Sequence, residues 1–398
     1  MTPVRHFDIA ERRGRMIARH HLAASGSSIE QIANDLVGLH STDPATVFLS
    51  LFNRLSGFGV GDLEDALYER RTLTRILGMR RTLFVAPREL AAVIDAACTR
   101  TLIAGERRRT IQLLEAEGIE NAAEVLESAC RATLAALRDA DGPLPARNLT
   151  PLVQELRTRV TMAPGKKYEA APAITNRVCL HLSTEGHIVR TRPLGSWLSS
   201  QYRWTPTERW FDPIPDVPVD AARRELVTRW LRTFGPGTTT DIVWWTKWTK
   251  RDVTRILDEI DAVAVTVEPS PGGDPTPAWV LPDDLDAATP VRRIVRLLPG
   301  LDPTIMGWKE RAWYFGPSMP DLFDRNGNAG PLVLVDGMAV GAWAQRADGH
   351  VVTEVLEPVS PQTRKGISVA ADLLTQWFRG VRVTPRFPNP LERRLANG

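Results

Sequence analysis

Three times along this chain a group of amphipathic helical segments gives way to β-leaning sequence, twice as a short, arginine-bearing pair of runs and once as a single strand, and that recurrence restricts the fold more than any single motif. In the first pass, Asp8 to His21 reads as an amphipathic helix, and Ser27 with Glu30 three residues on predicts a capped second helix. Helices over Val47–Arg54 and Gly61–Leu67 follow, and Thr72 to Val85 gives two β-leaning runs around Gly78. In the second pass, residues 88–141 are alanine-rich and helical, with a basic break at Arg107-Arg108-Arg109 and a helix start at Thr150-Pro151. An apolar helix over Ala171–Leu182, a turn at Thr184–His187 and a basic, aromatic segment from Ile188 to Trp204 complete it. In the third, helices Ala221–Phe234 and Lys250–Ile260 flank a start capped by Thr240 or Asp241, and Ala262–Glu268 is a strand. A compact set of helices carrying a β hairpin is the build of a winged-helix module. The repetition is one of architecture, without detectable sequence repeats.

Beyond a Pro/Gly-rich linker or long turn at Pro269–Pro277 the pattern turns to β, with strands over Ile294–Leu298, Leu332–Val335, Ala339–Gln345 and Val351–Glu357. Asp336-Gly337 and Asp348-Gly349 are hairpin turns, and Ser368–Phe378 is a closing helix. The expected fold class is therefore α+β, mainly helical: winged-helix modules at 1–87, 88–212 and 213–268, then a β-rich α+β subdomain at 278–398. A length of 398 residues accommodates that number of units.

Chemistry has to be found in a chain that lacks the common signatures. There is no GxGxxG after a strand, no P-loop, no HExxH and no GxSxG elbow. Cys98, Cys130 and Cys179 lie far apart, and no His/Cys spacing suits a metal, so neither metal nor cofactor is expected. The N-terminal arginines lack the apolar core of a signal peptide, and no apolar run approaches a membrane span, so a cytoplasmic protein is expected. The net charge of +3 is compatible with nucleic acid without demanding it.

The best candidate site is the turn His40-Ser41-Thr42-Asp43-Pro44. Asp43-Pro44 reads as a helix start, with Thr42 or Asp43 as cap, and the free backbone donors there would favour an anion or polarised substrate beside His40 and Thr42. The same residues also read as a capped turn with a packed histidine. Two clusters suit DNA phosphates and bases: Arg75, Arg80, Arg81 and Thr82 in the first hairpin, and Arg190, Arg192, Trp197, Ser199, Gln201, Arg203 and Trp204 in the second. Core packing of both tryptophans and a solvated arginine face remain open beside that reading.

These segments in order, Gly38–Pro44, Met79–Leu83, Gly186–Arg190, Gly195–Trp197, Phe234–Pro236 with Asp241 and Trp245, Leu298-Pro299 with Asp302-Pro303, and Asp336-Gly337 with Trp343, resemble the bacterial winged-helix proteins that include the AlkZ-like DNA glycosylases. The resemblance implies three winged helices around duplex DNA and release of bulky N7-alkylated guanines by hydrolysis of the N-glycosidic bond. It also implies a catalytic Gln-x-Gln directly before Asp-Pro, and here those positions hold His40 and Thr42. A neutral imidazole can replace an amide as acceptor or weak base, whereas Thr42 offers a single, shorter-reaching hydroxyl. Asp43 is either a carboxylate for the sugar cation or simply the helix cap. The expectation is a monomeric glycosylase with His40, Thr42 and Asp43 at its centre. The alternative is a non-catalytic DNA-binding protein, a damage binder or transcriptional regulator, that lost the glutamines.

Overall fold

A computed structural model describes residues 4–397 except 24, 168, 213–214, 289–292, 317–319 and 326. Residues 1–3 and 398, the outer ends of the first and last expected segments, lie outside the described residues.

The chain opens with strand β1 (His6–Phe7) and a helix, Ile9–Arg19, whose cap is Asp8, accepting from the Glu11 N–H at 2.8 Å. The next helix, Ile29–Asp35, is capped by Ser28 rather than Ser27. Ser28 has extended backbone and takes the Gln31 N–H, while the Ser27 hydroxyl and N–H are both held by the Gln31 side chain. Gly38, at φ +94°, supplies a left-handed step that lets the chain turn back after this helix. It leads into β2 (Leu39–His40), then the buried helix Pro44–Phe52. With β3 (Leu73–Leu77) and β4 (Leu83–Pro87), β2 forms an antiparallel sheet ordered β2-β4-β3, pairing Leu39 with Val85 and His40 with Phe84.

In the second stretch, helix Arg100–Ala116 runs unbroken through the arginine run expected to interrupt it. Arg107 is ion-paired to Glu185 and Glu127 from neighbouring segments, and Arg108 and Arg109 are exposed, so the run does not interrupt the helix. Helix Ala146–Leu152 contains Pro151 near its end instead of beginning at Thr150-Pro151. After helices Ala122–Asp139 and Thr175–Thr184, the strands β5 (Leu144–Pro145), β6 (Ile188–Pro193) and β7 (Tyr202–Pro206) make a sheet ordered β5-β7-β6.

Helix Val219–Phe234 starts the third stretch, and helix Thr239–Thr246 begins on a capping box of Thr238 and Asp241. The expected cap, Thr240 or Asp241, is displaced because Thr238 carries the extended conformation and Asp241 answers it from the third helical position. Helix Lys250–Glu259 leads to β8 (Val263–Val267) and β9 (Thr276–Val280). This sheet takes its edge strand from the start of the chain: β1 runs parallel to β8, and Phe7 is buried on Val265, Val267, Ala278 and Val280. Residues 269–275 are thus a hairpin connection. The last stretch is an antiparallel meander, β10 (Val295–Leu298), β11 (Leu332–Val335), β12 (Met338–Gln345) and β13 (Val351–Val355), covered by helices Pro361–Phe378 and Pro390–Asn397. Asp336 and Gly337 turn β11 into β12 with φ of +47° and +79°, the backbone that an Asp-Gly hairpin selects. Among the described residues no helix is long and apolar enough to cross a membrane.

Packing crosses these stretches. Trp230, Phe234 and Trp245 share one core with Trp308, Trp313 and Tyr314, and Phe48 and Leu51 share another with Val333, Trp343 and Phe378. A buried ion pair fastens the second contact. Arg54 meets Asp302 through two bonds of 2.7 and 2.8 Å, both side chains being 0% exposed. The helix that begins at Pro44 is therefore clamped to the C-terminal unit just beyond its end.

Candidate active site

The turn before Pro44 is fixed from both sides. Ser41 N–H donates to the Leu83 carbonyl at 2.7 Å, continuing the β2–β4 pairing, and the Thr42 hydroxyl accepts the Leu83 N–H at 3.2 Å. Asp43 is the cap, its Oδ1 accepting the Ala45 N–H at 3.1 Å, with Pro44 at the first helical position. Its Oδ2 accepts the Arg386 N–H at 3.1 Å. Both Asp43 oxygens thus have backbone duties.

His40 is 3% exposed and packs edge-on to Phe84, ring centroids 5.2 Å apart. It lines a cavity of about 20 Å³ with Met79, Arg80, Thr82 and Trp245. Its Nδ1 is buried without a hydrogen-bond partner among the described residues. Burial, and secondarily the Arg80 charge, push the His40 pKa down to about 3, so the ring is neutral at physiological pH. A neutral imidazole with a free ring nitrogen can hold a water or a polar group.

Arg386 was not visible in the sequence as a site residue. Its guanidinium donates to the Thr42 carbonyl at 2.7 Å and to the Ser200 hydroxyl at 3.1 Å, so the C-terminal segment straps the turn to the loop between β6 and β7. Nothing local marks it, since its partners lie some 340 and 190 residues away in sequence.

The remaining candidates separate. Arg80 and Thr82 share the His40 cavity, and Thr82 donates its hydroxyl to the Met79 carbonyl at 2.9 Å. Arg81 is ion-paired to Glu106. Arg75 is 7% exposed, donating to the Tyr68 hydroxyl at 2.6 Å and to Ser41 Oγ at 3.3 Å, which makes it a brace of the turn rather than an exposed phosphate contact. Arg75 and Arg190 line a separate cleft of about 690 Å³ that also holds Asp95, Glu185 and Asp212. Arg190 stacks on Trp204 at 4.5 Å, and burial pulls its pKa down to about 10. Arg192 is spent on Glu64 and Glu69 at 2.7 and 3.0 Å.

Both tryptophans are core. Trp197 is 9% exposed against Phe48 and Trp377, and Trp204 is 7% exposed in the cluster of the second stretch, so neither presents a face that could stack on or wedge between bases. Ser199, Gln201 and Arg203 stay at or near the surface, with the Ser199 hydroxyl accepting the Gln201 N–H. Among the described residues no three His, Cys, Asp or Glu side chains gather as metal ligands.

A family model described as "DNA glycosylase AlkZ-like" matches residues 33–377. Among solved structures, the Streptomyces sahachiroi DNA glycosylase AlkZ matches with a TM-score of 0.69 at 16% identity, covering 93% of this chain and 97% of that one. That likeness shows a shared fold. No curated protein matches the sequence.

Proposed function

The chain belongs to the AlkZ-like DNA glycosylase family and is a hydrolytic N-glycosylase, and we propose that it releases N7-alkylated purines, bulky ones included, from duplex DNA through the turn at His40–Asp43. The observation that carries this reading is the buried, neutral His40 ring whose Nδ1 has no hydrogen-bond partner among the described residues, at the position of the first glutamine in the family's Gln-x-Gln.

An N7-alkylated purine already carries positive charge, so it leaves readily and the enzyme need chiefly place a water and tolerate an oxocarbenium-like sugar. His40 Nδ1 orients that water as an acceptor; a ring held at about 3 is a poor proton reservoir, which favours orientation over proton abstraction. Thr42, whose oxygen already accepts from Leu83, keeps its hydroxyl proton to donate. Asp43 serves as cap and anchor, since both of its oxygens are engaged.

We read the three helix-and-sheet stretches as winged helices at 1–87, 88–212 and 213–268, the last extended to residue 280 by its second strand β9, with the remainder of 278–398 as the β-rich closing unit, acting as a monomer in the cytoplasm. Arg80, Arg81, Thr82, Arg203, Gln201 and Ser199 are the candidate contacts to the duplex. Family membership favours catalysis over mere DNA binding. The test is base release from duplexes carrying N7-methylguanine and a bulkier N7 adduct, with His40→Ala alongside. Release by the native enzyme and loss in the variant are expected; DNA binding without release from any N7 adduct would favour the non-catalytic alternative.

A further inference from the structure

Trp244, half-buried on helix Thr239–Thr246, has two guanidinium groups near its ring. Arg80 lies 3.9 Å from the centroid and Arg311 5.7 Å, and Arg311 also stands 4.9 Å from the Phe323 ring. Arg80 comes from the β3–β4 turn, Trp244 from the third stretch and Arg311 from the C-terminal unit, so three parts of the chain converge here.

The two charges are uncompensated. Among the described residues no carboxylate lies within ion-pair distance of either arginine, although Arg54, Arg81, Arg107 and Arg192 all have acidic partners. One nitrogen of each, Arg80 Nη1 and Arg311 Nη1, is buried without a hydrogen-bond partner among the described residues. Arg311 Nη2 donates to the Gly327 carbonyl at 3.0 Å, a bond that fixes the group without neutralising it. Burial and the Arg311 charge together hold the Arg80 pKa below the usual arginine value. An aromatic face attracts cations but cannot satisfy their N–H groups.

The backbone pays to put Arg80 there. Arg80 and Arg81 have φ of +55° and +58°, two consecutive side-chain-bearing residues in the left-handed region, at about 1 kcal/mol or more each. The turn is closed by Gly78 N–H to the Thr82 carbonyl at 2.8 Å. Strain that aims an unpaired cation at a second one calls for an anion between them. The group that fits is one with several acceptor oxygens and a single negative charge.

We infer that Arg80, Arg311 and Trp244 form a seat for one phosphodiester group of the bound DNA, beside His40. The inference rests on the reading of the chain as a DNA-acting enzyme, not on His40 being catalytic. It also couples the seat to the site, because Arg80 shares the His40 cavity and its charge disfavours positive charge on the ring. A phosphate on Arg80 cancels that field and makes His40 Nδ1 a better acceptor only when the strand is in place.

The test is equilibrium binding of an undamaged, fluorescently labelled duplex across a KCl series, for the native chain, Arg80→Gln, Arg311→Gln, the double variant and Arg311→Lys. Arg364→Gln, at an exposed position on helix Pro361–Phe378, is the control, and melting curves establish that each variant is folded. One phosphate contributes about 0.9 to the slope of log K against log salt. The double variant should lower the slope by about that amount, each single variant by no more, and Arg311→Lys and Arg364→Gln should keep the native value. An unchanged slope in the double variant overturns the seat, as does a fall of about 1.8, which would mean two separate phosphates. Base release with an unchanged slope rejects the seat alone, and the expected slope change without base release rejects only the glycosylase chemistry. Absence of duplex binding by the native chain rejects both.

Discussion

Asp302→Ala removes the acceptor at the centre of the buried network that clamps the Pro44–Phe52 helix to the C-terminal unit. Asp302 takes two bonds from Arg54, one from Ser50 Oγ at 2.7 Å and one from Thr304 N–H at 2.9 Å. Truncation strands a fully buried guanidinium whose remaining acceptors are the His20 and Ser50 carbonyls and the Thr304 hydroxyl. Breaking a buried pair on one side costs about 3–5 kcal/mol. At about 2.1 cal/mol/K per residue over 398 residues, that corresponds to a melting point lower by about 4–6 °C if the chain unfolds as one unit. Calorimetry on Asp302→Ala and on the double variant Arg54→Met with Asp302→Leu separates charge from packing: the double variant should recover most of the loss, because an apolar pair carries no desolvation penalty. The carboxyl is also pH-sensitive. Burial would raise the Asp302 pKa, but Arg54 and the hydrogen bonds hold it below the ordinary aspartate value, so its contribution is present above about pH 4 and fades as pH falls through the lower folded value. A loss under about 1 kcal/mol in Asp302→Ala, or no recovery in the double variant, would refute the reasoning.

Trp204→Ala should destabilise the chain by about 3–5 kcal/mol in urea titrations while leaving the salt dependence of DNA binding unchanged, as expected of a core residue and not of a base wedge. Arg192→Gln should cost less than about 1 kcal/mol and leave that salt dependence unaltered, because Glu64 and Glu69 already neutralise this partly exposed side chain. His20 and His40 are both pushed down to about 3, His20 by burial and then Arg54, His40 by burial and then Arg80. Between that value and about 6.5 the unfolded chain binds protons that the folded chain does not, so stability should rise with pH across this window and level off above it. Urea midpoints measured across the window should flatten in His40→Gln; an unchanged pH dependence would contradict the buried, neutral ring.

What could be read from the sequence was what short-range chemistry decides. Asp43-Pro44 starts a helix because a carboxylate cap and a proline at the first position leave little alternative, and Asp336-Gly337 turns a hairpin because few pairs accept two positive φ values in succession. The helix-then-hairpin order of the first two stretches is legible for the same reason, whereas in the third only β8 is, because Pro277 inside β9 reads as part of the linker. What distant partners decide was not. The arginine run at 107–109 reads as a helix break, whereas Glu185 and Glu127 balance Arg107 within a continuous helix, and the choice for Trp197 between DNA contact and core is decided only by Phe48 and Trp377, which enclose it. The third sheet recruits β1 from more than 250 residues away, which no local pattern announces. At the candidate site the turn itself was legible, but the depth of His40, set by its pairing with Phe84, and the strap from Arg386 were not.

The most direct measurement is the rate of N7-methylguanine release from an alkylated duplex by the native enzyme and by His40→Ala, with duplex affinity measured in parallel. Release by the native enzyme, a loss of about a hundredfold or more in the variant, and unchanged affinity are expected if His40 Nδ1 orients the attacking water. Equal rates in the two proteins would contradict it.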